Sequence, residues 1–290
     1  MENKLCLGTV QFGIRYGIKN ELGRKPYASE SGTVLEKAMA SGIDYIDTAS
    51  AYGDAEEVLG RFGIKDYDVK IISKLPPLNE LDVDNIEKNI KISLARIGVT
   101  SIDGYMLHNA KDFYNKKILY AMQTAKQKGL INNIGVSVYD PIDALSVVRD
   151  SDIDYIQIPY NVFDQRLENT DFFELAEKNN VRVFARSAFL QGLLLMDTSQ
   201  IPANLCDAVP YIKKFDAIAR EFDLSRAEAA FLFVYHNTNI DNLVFGVDNV
   251  KQFEENLEII KKQKYFDECY RHLVGQFSDI NEHVVMPNLW

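Results

Sequence analysis

Three residues in the stretch GIDYIDTASAYGDAEEVLGRFGIKDYDVKIISK, residues 42–74, have the types and spacing of an acid–base device. Asp47 closes the apolar run IDYID, Tyr52 follows five residues later, and Lys74 closes the run VKIIS. A free tyrosine titrates at about 10, too high for easy proton exchange near neutrality. An ammonium within hydrogen-bonding reach favours the phenolate and lowers that value. A carboxylate beside the ammonium keeps it charged and in place. The tyrosine then acts as general acid toward a carbonyl oxygen, or as base in the reverse direction. Each residue alone has a plainer use: Asp47 as a helix cap, Tyr52 packed in a turn, Lys74 in solvent.

The three meet only if the two runs are neighbouring parallel strands, whose carboxyl edge is where α/β folds keep their chemistry. The rest of the chain supports that. Strands are expected at 5–13 (running into a glycine turn), 43–47, 69–73, 102–107, 131–138, 153–159, 181–187 and 242–246. Helices are expected at 30–41, 54–62, 83–97, 116–128, 141–149, 170–179, 208–222, 225–236 and 250–261. The helix at 83–97 carries Ile86, Ile90, Leu94 and Ile97 at helical spacing, and Gly129 stops the helix at 116–128. Eight alternating strand–helix units imply a parallel sheet, and eight close most naturally as a (β/α)8 TIM barrel. An open doubly wound sheet is the alternative, but residues 8–13 read GTVQFG and lack the GxGxxG spacing. Residues 1–290 are therefore read as one barrel domain with a C-terminal helix and tail. Trp290 on that tail either covers the barrel mouth or packs on the flank.

Bulk properties narrow the function. With 47% hydrophobic and 26% charged residues the chain has ordinary globular composition. A formal charge of −10 argues against nucleic-acid binding and leaves an anionic cofactor to local cations and backbone amides. Cys6, Cys206 and Cys269 form no CxxC pair, which suits a reducing cytoplasm. There is no signal-peptide pattern and no apolar run of membrane-spanning length. The four histidines have no ligand spacing, so no metal is expected.

His108, directly after the fourth strand, adds a histidine to the same edge. Aspartate, tyrosine, lysine and histidine on strands two to four resemble the catalytic tetrad of the aldo-keto reductases. The segments GIDYIDTASAYG, KISLARIGVTSIDGYMLH, QKGLINNIGVS, DYIQIPYN and LVFGVDNVKQFEEN resemble that family too. The resemblance runs from Leu7 to Ile259. It implies that Tyr52 is the proton donor and acceptor, that Lys74 and Asp47 set its pKa, and that His108 orients the substrate carbonyl. It implies a nicotinamide whose carboxamide is held by Ser137 and Gln157 and whose ribose meets Gly8, Thr9 and Val10. Ser187, Phe189, Gln191, Gly192 and Leu193 correspond to the pyrophosphate loop. Gly246, Val247, Asp248, Asn249, Gln252, Glu255 and Asn256 correspond to the adenosine end.

The chain departs from the family at three places. Val138 stands where asparagine commonly follows the serine. Arg186 replaces an aromatic that stacks on the nicotinamide, and can itself stack or pair with an anion. Gly246 and Gln252, with Asp248 between them, replace the lysine and arginine of many NADP-dependent members. NADPH is the family default and NADH the alternative. The expected activity is reversible reduction of a small aldehyde or ketone, with a sugar-like carbonyl suggested by GTVQFGIRYGI and with Gln11, Tyr16 and Phe163 as pocket candidates. Two other readings stay open: an NADP(H)-binding sensor or regulatory subunit with little turnover, and a cofactor-free lyase using Lys74 as a Schiff-base nucleophile. Oligomeric state is not legible.

Overall fold

A computed structural model describes residues 3–20, 22–78, 85–149 and 152–290. Eight parallel strands close in sequence order into a barrel: β1 (Leu5–Gly8), β2 (Tyr45–Asp47), β3 (Lys70–Lys74), β4 (Ile102–Leu107), β5 (Ile131–Ser137), β6 (Tyr155–Pro159), β7 (Arg182–Arg186) and β8 (Asn242–Gly246). The strands are almost wholly buried, as runs such as LCLG and YIQIP require when helices cover the outside and side chains fill the inside. Outside them run α1 (Ala28–Ala40), α2 (Ala55–Phe62), α3 (Ile86–Ile97), α4 (Lys116–Gln127), α5 (Pro141–Val148), α6 (Phe172–Lys178), α7 (Val209–Glu221), α8 (Arg226–His236), α9 (Val250–Ile260) and α10 (Asp267–Leu273). The expected first strand is shorter than 5–13, because Val10–Gly13 form a single helical turn. Part of the expected start of the helix at 83–97 lies outside the described residues.

Local chemistry sets the boundaries. Asp140 caps α5, with Pro141 as its first residue, and Ser225 with Glu228 forms a capping box on α8. Gly63 and Gly98 end α2 and α3 in the left-handed conformation. No described helix is long and apolar enough to cross a membrane.

The barrel interior is filled by Cys6, Tyr45, Ile72, Met106, Tyr155, Phe184 and Val244, one from each of seven strands. Side chains alternate faces along a strand, so residues two positions on share the same inward face. Those residues are Gly8, Asp47, Lys74, His108, Gln157, Arg186 and Gly246. Strand register aligns the edge: Gly8 pairs with Asp47 and Gly246, and Ser137 pairs with Gln157. The packed layer is thus a floor for a polar one.

The C-terminal tail lies beside the mouth. Gln165, after β6, donates from Nε2 to the Leu273 carbonyl at 3.0 Å and accepts from the Gly275 amide at 2.8 Å. Phe277 packs on Phe163 and Phe215, and Trp290 Nε1 donates to the His283 carbonyl at 2.9 Å.

Helix α2 approaches α3 so closely that a Cβ on Gly60 would run into the Arg96 backbone carbonyl. Backbone cannot rotate away. Alanine at an unobstructed helix position would gain about 0.5–1 kcal/mol over glycine, whereas overpacking costs about 1–3 kcal/mol. Gly60→Ala should therefore lower stability by about 1–2 kcal/mol, read as a drop in the urea midpoint with unchanged slope. A higher midpoint would mean that the two helices do not pack in this way.

Candidate active site

Asp47 and Lys74 form a buried ion pair at the carboxyl edge of the barrel. Lys74 Nζ donates to Asp47 Oδ1 at 2.6 Å, to Oδ2 at 2.7 Å and to the Thr48 carbonyl at 3.1 Å. Its longest contact, 3.5 Å, is to the Tyr52 hydroxyl. Lysine has three protons, so the short partners have first claim on them. The lysine is fully buried and Asp47 is 3% exposed. A single buried charge of this kind costs several kcal/mol, and only close pairing offsets it.

Tyr52 reaches the pair from the turn after β2, and its backbone amide bonds to Ala49 O. The His108 ring meets its ring edge-on, with centroids 5.9 Å apart. Burial holds His108 down to about 4, helped by the charges of Lys74 and Arg186. The imidazole is neutral at physiological pH, and its buried Nδ1 has no hydrogen-bond partner among the described residues. Burial also pushes the Tyr52 phenol well above its ordinary value. The Asp47 carboxylate adds to this, and the Arg186 charge opposes it. The expectation that Lys74 lowers the Tyr52 pKa is not met here. Burial, with the Asp47 carboxylate beside it, outweighs the nearby cations, and Tyr52 is a neutral phenol.

Gln157 extends the network by donating from Nε2 to Asp47 Oδ1 at 2.7 Å, and Ser137 Oγ lies 3.5 Å from Gln157 Oε1. Arg186 donates to the Val138 carbonyl at 3.0 Å and lies over the Tyr139 ring, 4.1 Å from its centroid. Tyr16 stands near this group, with its hydroxyl pushed up to about 12 chiefly by burial.

These residues face one end of a cavity of about 840 Å³ that extends past β1 and β8 to Glu255, Asn256 and Ile259. Its wall includes Gly8, Thr9, Val10, Gln11 and Tyr16 after β1, and Asp47, Tyr52, Gln157 and Arg186. It continues through Ser187, Phe189, Gln191 and Gly192 to Gly246, Val247, Asp248, Asn249, Gln252, Glu255 and Asn256. Lys74 and His108 stand behind or beside this wall, where they contact Tyr52. Three candidates lie elsewhere. Ser137 is buried behind Gln157, so the structure does not bring it to the wall. Leu193 is a core side chain. Phe163 is 2% exposed and packs with Tyr211, Phe215 and Phe277, which makes it support for the tail, not a pocket residue.

The loop after β7 is strained. Ser187 (φ 66°), Leu190 (φ 47°) and Gln191 (φ 51°) are all left-handed, at a cost of order 1 kcal/mol each. Non-glycine residues in such conformations cluster at ligand sites. The loop after β1 crosses to it: Ile18 N donates to Gln191 O at 3.0 Å and Lys19 Nζ to Leu195 O at 3.0 Å. Asn20 Nδ2 donates to Asp248 Oδ1 at 3.1 Å. Gly192, at φ 97°, passes so near Lys19 that a Cβ would lie 2.8 Å from the lysine Cβ. Within the strap formed by residues 16–20, Tyr16 is the residue the sequence singled out as a pocket candidate. Lys19, Leu195, Ser225 and Arg226, which also line the cavity, gave no signal at all.

The donor set fits a dinucleotide. The cavity extends from the acid–base residues to Asn256, Gln11 Oε1 is buried with no partner among the described residues, and α9 is capped by Asn249 on the wall, where helix-start amides favour phosphate or ribose oxygens.

Comparison with known proteins agrees with this geometry. The sequence model of the Aldo/keto reductase family matches residues 4–273. The chain is 24% identical over 261 residues to an uncharacterized oxidoreductase, YqkF, of Bacillus subtilis, covering 81% of this chain and 84% of that protein. It is 27% identical over 291 residues to a D-threo-aldose 1-dehydrogenase of a Pseudomonas species, covering 84% and 87%. The solved holo form of aldo-keto reductase AKR11C1 from Bacillus halodurans superposes with a TM-score of 0.73 at 19% identity, over 97% of this chain and 95% of that one. The family match spans the whole barrel and includes all four residues of the acid–base cluster, and so this chain belongs to the aldo/keto reductase family.

Proposed function

We propose that the protein is an NAD(P)(H)-dependent oxidoreductase that reduces an aldehyde or ketone to an alcohol, with Tyr52 as the proton donor. The observation that carries this reading is the buried Asp47–Lys74 pair against Tyr52 and His108 at one end of a dinucleotide-sized cavity. When bound, the nicotinamide supplies a hydride to the carbonyl carbon. Negative charge then grows on the carbonyl oxygen. Tyr52, held neutral by burial, donates its proton there. The phenolate left behind lies 3.5 Å from the Lys74 ammonium, which stabilises it. Neutral His108 supplies an N–H to the same oxygen without competing for the proton.

The cofactor would be held by the wall residues after β1, by the strained loop after β7 with Lys19, and by Gly246 to Asn256. At that last end Asp248 and Glu255 face the cavity, and Glu255 pairs with Lys251 at 3.7 Å. A 2′-phosphate carries about two negative charges and wants cations. This favours NADH over the NADPH that family membership alone suggests. Lys74 as a Schiff-base nucleophile is disfavoured, because both Asp47 oxygens grip its fully buried amine.

Tyr52→Phe should lower the rate of reduction by about 10²–10⁴-fold while cofactor affinity, read by quenching of protein fluorescence, stays within a few-fold. Equal turnover by the variant would remove Tyr52 from the chemistry and leave the sensor reading. In the reductive direction kcat should stay flat from about pH 5 to 9, since His108 is already neutral above about 4 and Tyr52 remains protonated. An inflection between pH 6 and 7 would show His108 titrating as a solvent-exposed imidazole does. Asp248→Asn retains an oxygen for Asn20 but removes the charge. It should raise NADPH affinity relative to NADH by about tenfold, ~1.4 kcal/mol of relieved repulsion, and an unchanged ratio in parallel titrations would place Asp248 away from the 2′ position.

A further inference from the structure

Six cationic side chains line or back the cavity, and they are not equivalent. Lys74 is held by Asp47, Arg220 and Arg226 by Asp216, and Lys251 by Glu255. Lys19 donates to a carbonyl in the strap. Arg186 has no carboxylate within 4.0 Å among the described residues, and its hydrogen bonds to protein are to the Val138 carbonyl and, at 3.2 Å, to Ser187 Oγ.

The position of Arg186 is fixed from three sides. It is the last residue of β7, pairs with Pro159 of β6, and lies on the inward face one step beyond Phe184. The same step on β2, β3 and β4 gives Asp47, Lys74 and His108. One face of the guanidinium is covered by Tyr139 and one edge is tied to Val138. A guanidinium has five N–H donors in a rigid fork suited to a carboxylate or phosphate, and protein atoms satisfy only part of it. Its field is felt at Tyr16, Tyr52 and His108, the groups around the reacting carbonyl. In a chain with a net charge of −10, such an unmatched cation is the local device by which an anion can be held at that end.

We propose that Arg186 is a specificity-determining residue of the carbonyl site: it binds an anionic oxygen group, carboxylate or phosphate, carried by the aldehyde or ketone substrate. The assignment rests on the carbonyl-reductase reading above. It makes the substrate class an oxo-acid or a phosphorylated carbonyl compound. The anion is assigned to the substrate because Arg186 shares its inward layer with Asp47, Lys74 and His108 and its charge reaches Tyr52 and His108.

The test uses matched pairs: succinic semialdehyde against butyraldehyde, and glyceraldehyde 3-phosphate against glyceraldehyde, with the wild type, Arg186→Gln and Arg186→Lys. The wild type should prefer the anionic member of at least one pair by tenfold or more in kcat/KM, and the pair that shows it identifies carboxylate or phosphate. Arg186→Gln should reduce that ratio by about tenfold to a hundredfold, the worth of a charge-assisted hydrogen-bonded pair, mainly through KM. Arg186→Lys should restore part of it, which a merely structural role would not predict. NADH affinity of Arg186→Gln, read by fluorescence, should stay within about threefold of the wild type. A tenfold loss there would put the guanidinium on the cofactor's phosphates and overturn the proposal. Turnover of all four carbonyls with no anion preference, or a ratio unchanged in Arg186→Gln, overturns it too while leaving the reductase reading intact. No turnover of any carbonyl with either cofactor would instead remove the reductase reading, and the proposal with it.

Discussion

The site depends on one buried charge pair. Lys74 has no exposure to solvent, and Asp47 meets its amine with both oxygens while Thr48 offers a carbonyl. The pair joins adjacent strands, so the register of β2 on β3 and the electrostatics of Tyr52 have the same origin. The lysine does not make the phenol acidic in advance. In the proposed reaction the ammonium acts on the tyrosine once the phenol has given up its proton. That division suits a proton donor at neutral pH, which must stay protonated until charge develops on its acceptor.

Around this pair the barrel separates stability from chemistry by a single two-residue step. The inward layer of Tyr45, Ile72, Met106, Tyr155 and Phe184 is apolar and aromatic and packs without solvent. One step further each strand presents a polar or small residue, and glycine at Gly8 and Gly246 leaves room on the cavity side. Strain is kept out of this scaffold. It is concentrated in the loop after β7, where three non-glycine residues are left-handed and the strap from residues 16–20 is hydrogen-bonded across.

Charge follows the same economy. The protein is acidic overall, yet around the cavity Lys74, Arg220, Arg226 and Lys251 are matched with carboxylates and Lys19 with a carbonyl. Arg186 is the exception beside the acid–base residues, held by a carbonyl and a tyrosine ring in place of a counter-ion. A cation kept in place without being neutralised retains most of its attraction for a ligand.

The alternation of eight strand and helix patterns, and the residues Asp47, Tyr52, Lys74 and His108, were legible in the sequence because both are local. Strand ends are marked by a polar residue after an apolar run, and in a barrel every such end faces the same way. The run from Gly246 to Asn256 was singled out by the family resemblance, and it lies on the cavity wall where a strand end and a helix start adjoin. Contacts made between distant segments were not legible. Phe163 lies in the loop after β6, on the same edge as His108 after β4, but the tail folds back so that Phe277 encloses it, and no feature near position 163 announces that. The family resemblance made Ser137 and Leu193 cofactor residues, and only packing sets one beside Gln157 and surrounds the other with core. The protonation of Tyr52 was likewise decided in three dimensions. Sequence supplied a lysine beside a tyrosine, but the balance between burial and the nearby charges depends on distances of 2.6 and 3.5 Å that only the closed barrel sets.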